Sequence, residues 1–195
     1  MKIGIDLDDV LAVSLPHYLQ ALNRRFGLSI EPADGAWRIL DQFPHIPRRE
    51  ANSFFTELIE GGFFLSRPLM QGAREAVESL AQDGHHLFIV TGRATRDAAV
   101  TREWLHEVGL LGHFGAVVHN GKERVERYKA AAASDLQLDL FIEDELAVAT
   151  AIAEAAIPVL LFDHPWNRGA VPSNVRRVRS WTEVLDLIAE MGGGW

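Results

Sequence analysis

Ten residues near the start of the chain, Lys2-Ile3-Gly4-Ile5-Asp6-Leu7-Asp8-Asp9-Val10-Leu11, constrain the fold more than any others. The apolar run is too short and too β-branched for a helix, and it stops in three carboxylates within four positions. It reads as a strand buried in an α/β sheet. Open α/β sheets place their ligands outside the carboxyl ends of their strands, so Asp6 and Asp8 are expected on the functional edge. Alternate strand residues point the same way, which lets both carboxylates face one small volume. Two such groups repel each other unless a cation lies beside them, and oxygen ligands suit a hard divalent cation. A solvated turn is the alternative for an isolated Asp-x-Asp, and the rest of the chain has to decide between the two.

The remaining strands are separated by helical patterns. Ser14 to Phe26 carries a stripe of Leu15, Tyr18, Leu19, Leu22 and Phe26, with Ser14 as the expected N-cap, Pro16 in the first turn and Gly27 past the end. Residues 28–48 include Trp37 and Phe43 and show no clean period, and Arg49 to Ile59 is helical again until Gly61-Gly62. Residues 14–68 therefore read as a mainly helical insertion, a small cap, and 1–13 with 69–195 as the core. Within the core, Gly72 to Asp83 predicts a helix, His86 to Thr91 a strand, Arg96 to Val108 a helix and Gly115 to Val118 a strand. Arg124 to Ala133 then predicts a helix, Asp139 to Glu143 a strand, Glu145 to Ala155 a helix, Ile157 to Asp163 a strand and Trp181 to Met191 a closing helix. About five parallel strands joined by right-handed crossovers follow, a Rossmann-like three-layer α/β core. The terminal Gly192-Gly193-Gly194 is expected to be loose.

Composition narrows the chemistry. A chain of 195 residues, 48% hydrophobic, can bury one substantial core with an insertion. The formal net charge of −8 argues against polymeric nucleic acid as a partner, although a small anion can still be held locally. With no cysteine, sulfur-bound zinc is excluded, and the eight histidines show no metal-ligand spacing. No window approaches the ~20 apolar residues of a membrane span and no apolar signal region opens the chain, so a soluble cytoplasmic protein without a membrane partner is the expectation.

Three predicted strands end in chemistry: Asp6 and Asp8, then Thr91-Gly92-Arg93, then Glu143-Asp144-Glu145. Parallel strands bring these ends to one edge. Carboxylates for a metal, and a hydroxyl beside a glycine turn for phosphoryl oxygens, fit a divalent cation and a phosphoryl group. A lysine should complete the set, with Lys129 and Lys122 as candidates.

The pattern Asp6-Leu7-Asp8-Asp9-Val10-Leu11, Thr91, Lys129 and Glu143-Asp144 resembles the four motifs of the haloacid dehalogenase (HAD) superfamily of phosphatases. Three further stretches resemble the bacterial branch of the 5′(3′)-deoxyribonucleotidase (cytosolic type C) family. They are Gly62-Phe63-Phe64 with Pro68 and Gly72-Ala73; Ile89 to Arg93; and Pro158 to Asp163 running into Pro165-Trp166-Asn167-Arg168. The resemblance covers nearly the whole core and is weak over residues 28–48. It implies a magnesium-dependent phosphomonoesterase in which Asp6 attacks phosphorus and Asp8 is the general acid and base. Mg²⁺ would be held by Asp6, the backbone carbonyl of Asp8 and an acid of the fourth motif, while Thr91 and Lys129 face the phosphoryl oxygens. Where the family has two aspartates in the fourth motif this chain has Glu143 first, so Asp144 is expected as the direct ligand and Glu143 as an indirect one. The resemblance also implies Lys129 rather than Lys122, since Lys129 stands at the family-like distance from the fourth motif.

Gly92, Arg93, Phe63 and Phe64 are candidate substrate-binding residues, the rings as a stacking surface for a base. Core packing is the alternative for the rings, helix capping for Arg93, and loop order the expected role of Arg168. Asp9 reads as a helix-entry acid for backbone donors. The implied substrate is a (deoxy)nucleoside monophosphate. A sugar phosphate or another small phosphoester, and a silent phosphate-binding module, are the alternatives, and a homodimer is compatible with these features.

Overall fold

At the centre of the molecule lies β1 (Lys2–Ile5), whose Ile3, Gly4 and Ile5 are buried. The structure, a computed structural model, describes residues 1–33 and 39–192; Trp37 and the tail glycines Gly193 and Gly194 lie outside the described residues. The further strands are β2 (His86–Ala94), β3 (Phe114–Asn120), β4 (Leu140–Glu143), β5 (Val159–Phe162) and β6 (Val175–Val178). They form a six-stranded sheet in the order β3-β2-β1-β4-β5-β6, and every neighbouring pair is parallel. The chain fills one half of the sheet, then returns past β1 to fill the other. The order reverses between β1 and β4, and that reversal opens the crevice in which such sheets bind ligands.

The helices of the core are α3 (Ala73–Gln82), α4 (Ala98–Glu107), α5 (Val125–Asp135), α6 (Leu146–Glu154) and α7 (Trp181–Gly192). On one face of the sheet Val77, Leu80, Trp104, Trp181 and Ile188 pack on Ile3, Ile5, Ile89 and Ile142, which brings α3, α4 and α7 together. On the other, Ala133, Val148 and Ile152 from α5 and α6 pack on Phe141, Val159 and Leu161. Strand residues therefore alternate between two buried layers, the reason the strands read as unbroken apolar runs. A third cluster joins α1 (Leu15–Phe26) to α2 (Arg48–Glu60) through Tyr18, Leu22, Phe54, Phe63 and Phe64.

The structure departs from the expected elements at two places. The sixth strand, Val175-Arg176-Arg177-Val178, carries two arginines in four residues, yet Val175 and Val178 are buried and it pairs with β5 along its length. As an edge strand with one exposed side, it lacks the apolar continuity that marks the others. β2 also runs on through Gly92 and Arg93 to Ala94. Thr91 pairs with His119 and Ala94 with Asn120, so Gly92 and Arg93 bulge from the ladder, and α4 begins at Ala98 after a 3₁₀ turn. Bulges re-aim side chains. No helix among the described residues is long and apolar enough to cross a membrane.

Candidate active site

The ladder of β1 extends one residue further: Asp6 N–H donates to the Ile142 carbonyl at 3.0 Å. The chain then turns sharply, with the amides of Leu11 and Ala12 returning to the Leu7 carbonyl at 2.9 and 2.8 Å. Asp9 sits at the turn with φ 59°, a left-handed conformation that aspartate tolerates better than most residues. Its carboxylate accepts the amides of Ser14 at 2.9 Å and Leu15 at 2.9 and 3.1 Å, and so caps α1. Ser14 occupies the N-cap position but makes no side-chain cap: its hydroxyl donates to Asp8 Oδ1 at 2.6 Å. Asp9 is thus the helix-entry acid that the sequence predicts, while Ser14 is an N-cap by position only, because the turn brings Asp9 rather than Ser14 under the free amides of the helix.

Lys129, 2% exposed, lies between the first strand and the fourth, with Nζ 2.9 Å from Asp6 Oδ1 and 2.8 Å from Glu143 Oε2. Lys122 stands at the rim of the adjoining cavity, which leaves Lys129 as the lysine against Asp6. Glu143 Oε1 accepts the amides of Asp144 and Glu145, each at 3.1 Å, so its carboxylate is committed to the lysine and the turn. Asp144 Oδ2 accepts the Trp166 indole N–H at 3.0 Å, while the Asn167 amide donates to the Asp144 carbonyl at 2.5 Å. His164 stacks on Trp166 with ring centroids 4.2 Å apart, and its Nε2 lies 2.9 Å from the Asp9 carbonyl. The loop after β5 thus braces both acid-bearing turns. Arg168 pairs with Asp163 at the surface, 3.0 Å away.

Asp6, Glu143 and Asp144 each place a carboxylate oxygen within 4.8 Å of the others. Burial pushes the Asp6 carboxyl up to about 7 despite Lys129, and burial with the Glu143 charge raises Asp144 well above the ordinary carboxylate value. Burial opposes ionisation of Asp8 too, but Arg93 and Ser14 outweigh it and hold that carboxyl below its usual value. Lys129 is held above its usual value by Asp6 and Glu143 against burial. Crowded, desolvated acids with a single buried lysine among them fit a divalent cation, whose charge would relieve the repulsion that raises Asp6 and Asp144. With Glu143 already committed, the free donors are on Asp6 and Asp144.

Above these acids opens a cavity of about 570 Å³, within the range of small-molecule sites. Asp6, Asp8, Lys129 and Asp144 line it on the core side, and Phe55 and Phe64 on the side of the helical insertion. Thr91, buried behind it, accepts the Arg93 amide at 3.2 Å, leaving its hydroxyl proton to donate. Gly92 lines the cavity; a Cβ there would meet Val125 Cγ1 at 3.3 Å. Arg93 also lines it, but its guanidinium is bound to Asp8. The two expected rings face different ways. Phe64 reaches the cavity under the Arg93 guanidinium, 3.7 Å from its ring centroid, whereas Phe63 is covered by Arg67 at 4.1 Å and lines a separate surface depression. Phe63 is thereby placed away from the acids. Phe55 replaces it at the cavity, and nothing in the local pattern of α2 sets Phe55 apart from its core neighbours. Ser14, which the sequence marks only as a helix cap, and His164, Trp166 and Asn167 also reach the acids; the last two precede Arg168 in the stretch whose expected role is loop order.

The family model described as 5′ nucleotidase, deoxy (pyrimidine), cytosolic type C protein matches residues 1–191. YqfW of Bacillus subtilis, a candidate nucleotidase, is 30% identical over 186 residues, covering 95% of this chain and 92% of its own. The crystal structure of a predicted phosphatase from Clostridium acetobutylicum superposes with a TM-score of 0.74 at 17% identity, covering 97% of this chain and 98% of that one. A hydrolase of the haloacid dehalogenase-like family from Streptococcus pneumoniae, SP0104, gives 0.71 at 17% identity, with 96% and 97% covered.

Proposed function

We propose a specific reaction from an established premise: the chain belongs to the 5′ nucleotidase, deoxy (pyrimidine), cytosolic type C family, has the HAD fold, and is a phosphoric monoester hydrolase. The reaction we infer is magnesium-dependent hydrolysis of (deoxy)nucleoside monophosphates through an aspartyl-phosphate. The observation that carries this reading is the convergence of Asp6, Asp8, Lys129 and Asp144 on one cavity at the carboxyl edge of the sheet.

In the first step an Asp6 carboxylate oxygen attacks phosphorus and the ester P–O bond breaks, with Asp8 giving its proton to the departing oxygen. In the second, Asp8 takes a proton from water as the water oxygen attacks phosphorus. The bond between phosphorus and Asp6 then breaks, releasing inorganic phosphate. Lys129 faces the negative charge that builds on the phosphoryl oxygens, joined by the Thr91 hydroxyl and by backbone amides after β1. Asp6, Asp144 and the backbone carbonyl of Asp8 are the groups that would hold Mg²⁺, with Glu143 fixing Lys129 and the turn behind them. Bound there, the ion supplies Lewis-acid stabilisation of the phosphoryl charge.

Residues 14–68 serve in this reading as the cap, and the cavity wall formed by Phe55 and Phe64 receives the apolar part of the substrate. The deciding experiment is a panel of ribo- and deoxyribonucleoside 5′- and 3′-monophosphates with sugar phosphates, assayed with and without Mg²⁺. Turnover of nucleotides that needs Mg²⁺ and vanishes in Asp6→Asn is the expected result. Activity surviving Asp6→Asn would overturn the covalent mechanism, and a uniform preference for sugar phosphates would overturn the substrate class.

A further inference from the structure

Arg93 is held through all three nitrogens of its guanidinium and through one face of the group. Its Nε donates to Asp8 Oδ2 at 2.8 Å and its Nη2 to Asp8 Oδ1 at 2.7 Å, a two-point fork on one carboxylate. Its Nη1 lies 3.4 Å from Thr101 Oγ1, and one face stacks on Phe64. The side chain is 2% exposed. An arginine bound this way is not a free receptor for phosphate, although it lies in the motif from which phosphate binding would be expected.

The Asp8 carboxylate can be accounted for oxygen by oxygen. Oδ1 takes both Arg93 Nη2 and the Ser14 hydroxyl, at 2.7 and 2.6 Å, which fills its two lone pairs. Oδ2 takes only Arg93 Nε, at 2.8 Å, which leaves one lone pair. We propose that Arg93 is a positioning residue for Asp8: with Ser14 it fixes the carboxylate so that Oδ2 is the oxygen through which the catalytic proton is given and taken at the cavity. Because the guanidinium also rests on Phe64 of the helical insertion, the same contact ties the orientation of Asp8 to the seating of that insertion on the core.

The inference rests on the acid and base role given to Asp8 above. A general acid matters most when the leaving group is poor, so the test compares nucleoside 5′-monophosphates, with alkoxide leaving groups, against p-nitrophenyl phosphate, with a good aryloxide one. Arg93→Lys keeps the charge and loses the planar fork. It and Arg93→Ala should each lose on the order of 10²-fold or more in kcat on the nucleotides, and about tenfold less than that on the aryl ester, with KM little changed. Added guanidinium ion should restore nucleotide turnover in Arg93→Ala. Equal losses on both esters, or a change confined to KM, would overturn the proposal and return Arg93 to phosphate binding. Asp8→Asn separates the two layers. If its loss is selective for the poor leaving group while those of the Arg93 variants are not, only the role of Arg93 fails. If its own loss is not selective, the acid and base assignment of Asp8 fails as well. Should Arg93→Ala not fold, Arg93→Lys carries the same comparison.

Discussion

Asp6 stands buried between Lys129 and two further acids, and its carboxyl is raised to about 7 from an unfolded value near 3.8. Burial is the largest cause, so in the metal-free protein ionising Asp6 costs stability. The sign follows: with the folded value above the unfolded one, stability is fully present below 3.8 and is lost as pH rises toward about 7. Asp6→Asn removes that titration. In chelator, the stability of Asp6→Asn relative to the parent should therefore rise between pH 4 and pH 7, as read from paired urea melts; a relative stability that falls over this window would contradict the desolvation argument. The same crowding explains why neighbouring acids have separate tasks. Asp9 is consumed by the amides of α1 and Glu143 by Lys129 and the turn, while Asp8 is held by Arg93 and Ser14 with one lone pair left on Oδ2. Asp144 keeps one oxygen uncommitted, while Asp6, paired to Lys129, faces the cavity.

At the scale of the element, β1 is defined as much by Gly4 as by its isoleucines. A Cβ at Gly4 would stand 2.4 Å from Leu138 Cδ1 and 2.7 Å from Phe141 Cδ2, and Phe141 is fully buried in β4 next door. The absent side chain lets a large ring fill the layer beneath α5 and α6. Gly4→Ala should destabilise the fold by about 1–3 kcal/mol through overpacking. Adding Phe141→Leu should recover part of that loss in urea denaturation, and a double variant worse than the sum of the two changes would refute the steric cause. The strands and helices of the core were legible because each shows its own period and its own stop: Gly84 after α3, Ala-rich packing in α5, the unbroken apolar run of β5. β6 was not legible, since Arg176 and Arg177 interrupt its apolar character while its order comes from pairing with β5. The bulge in β2 is equally a product of pairing, for nothing in Thr91-Gly92-Arg93-Ala94 itself shows that His119 and Asn120 will take up the ladder on either side.

For the molecule as a whole, a ligand that binds only the folded state stabilises it by mass action. Magnesium at about a hundred times its dissociation constant would add about 2.7 kcal/mol, a rise in Tm on the order of 5–10 °C for a chain of this size. Asp144→Asn should abolish the increment while the chelated protein still melts cooperatively, and an undiminished shift in that variant would remove Asp144 from the ion site. Such coupling is expected here because the acids sit where the two halves of the sheet meet, between β1 and β4, so that a cation bound there links both halves.

The resemblance is what favours Lys129 over Lys122, whereas the sequence by itself determined the α/β alternation and the parallel sheet, and with them the arrival of Asp6, Asp8, Thr91 and Glu143-Asp144 at one edge. Those properties are local: hydrophobic period, β-branching and turn residues set each element, and parallel pairing aligns the strand ends without further information. Only the tertiary structure decided what each side chain touches. Arg93 meets Asp8 across 85 positions, Trp166 meets Asp144 across 22, and Phe63 and Phe64, adjacent in the chain, serve different surfaces. Such contacts depend on the order of strands in the sheet, on a two-residue bulge and on how the helical insertion seats against the core. Local patterning carries none of these, because the free energy that selects among partners arises only when distant segments are desolvated together.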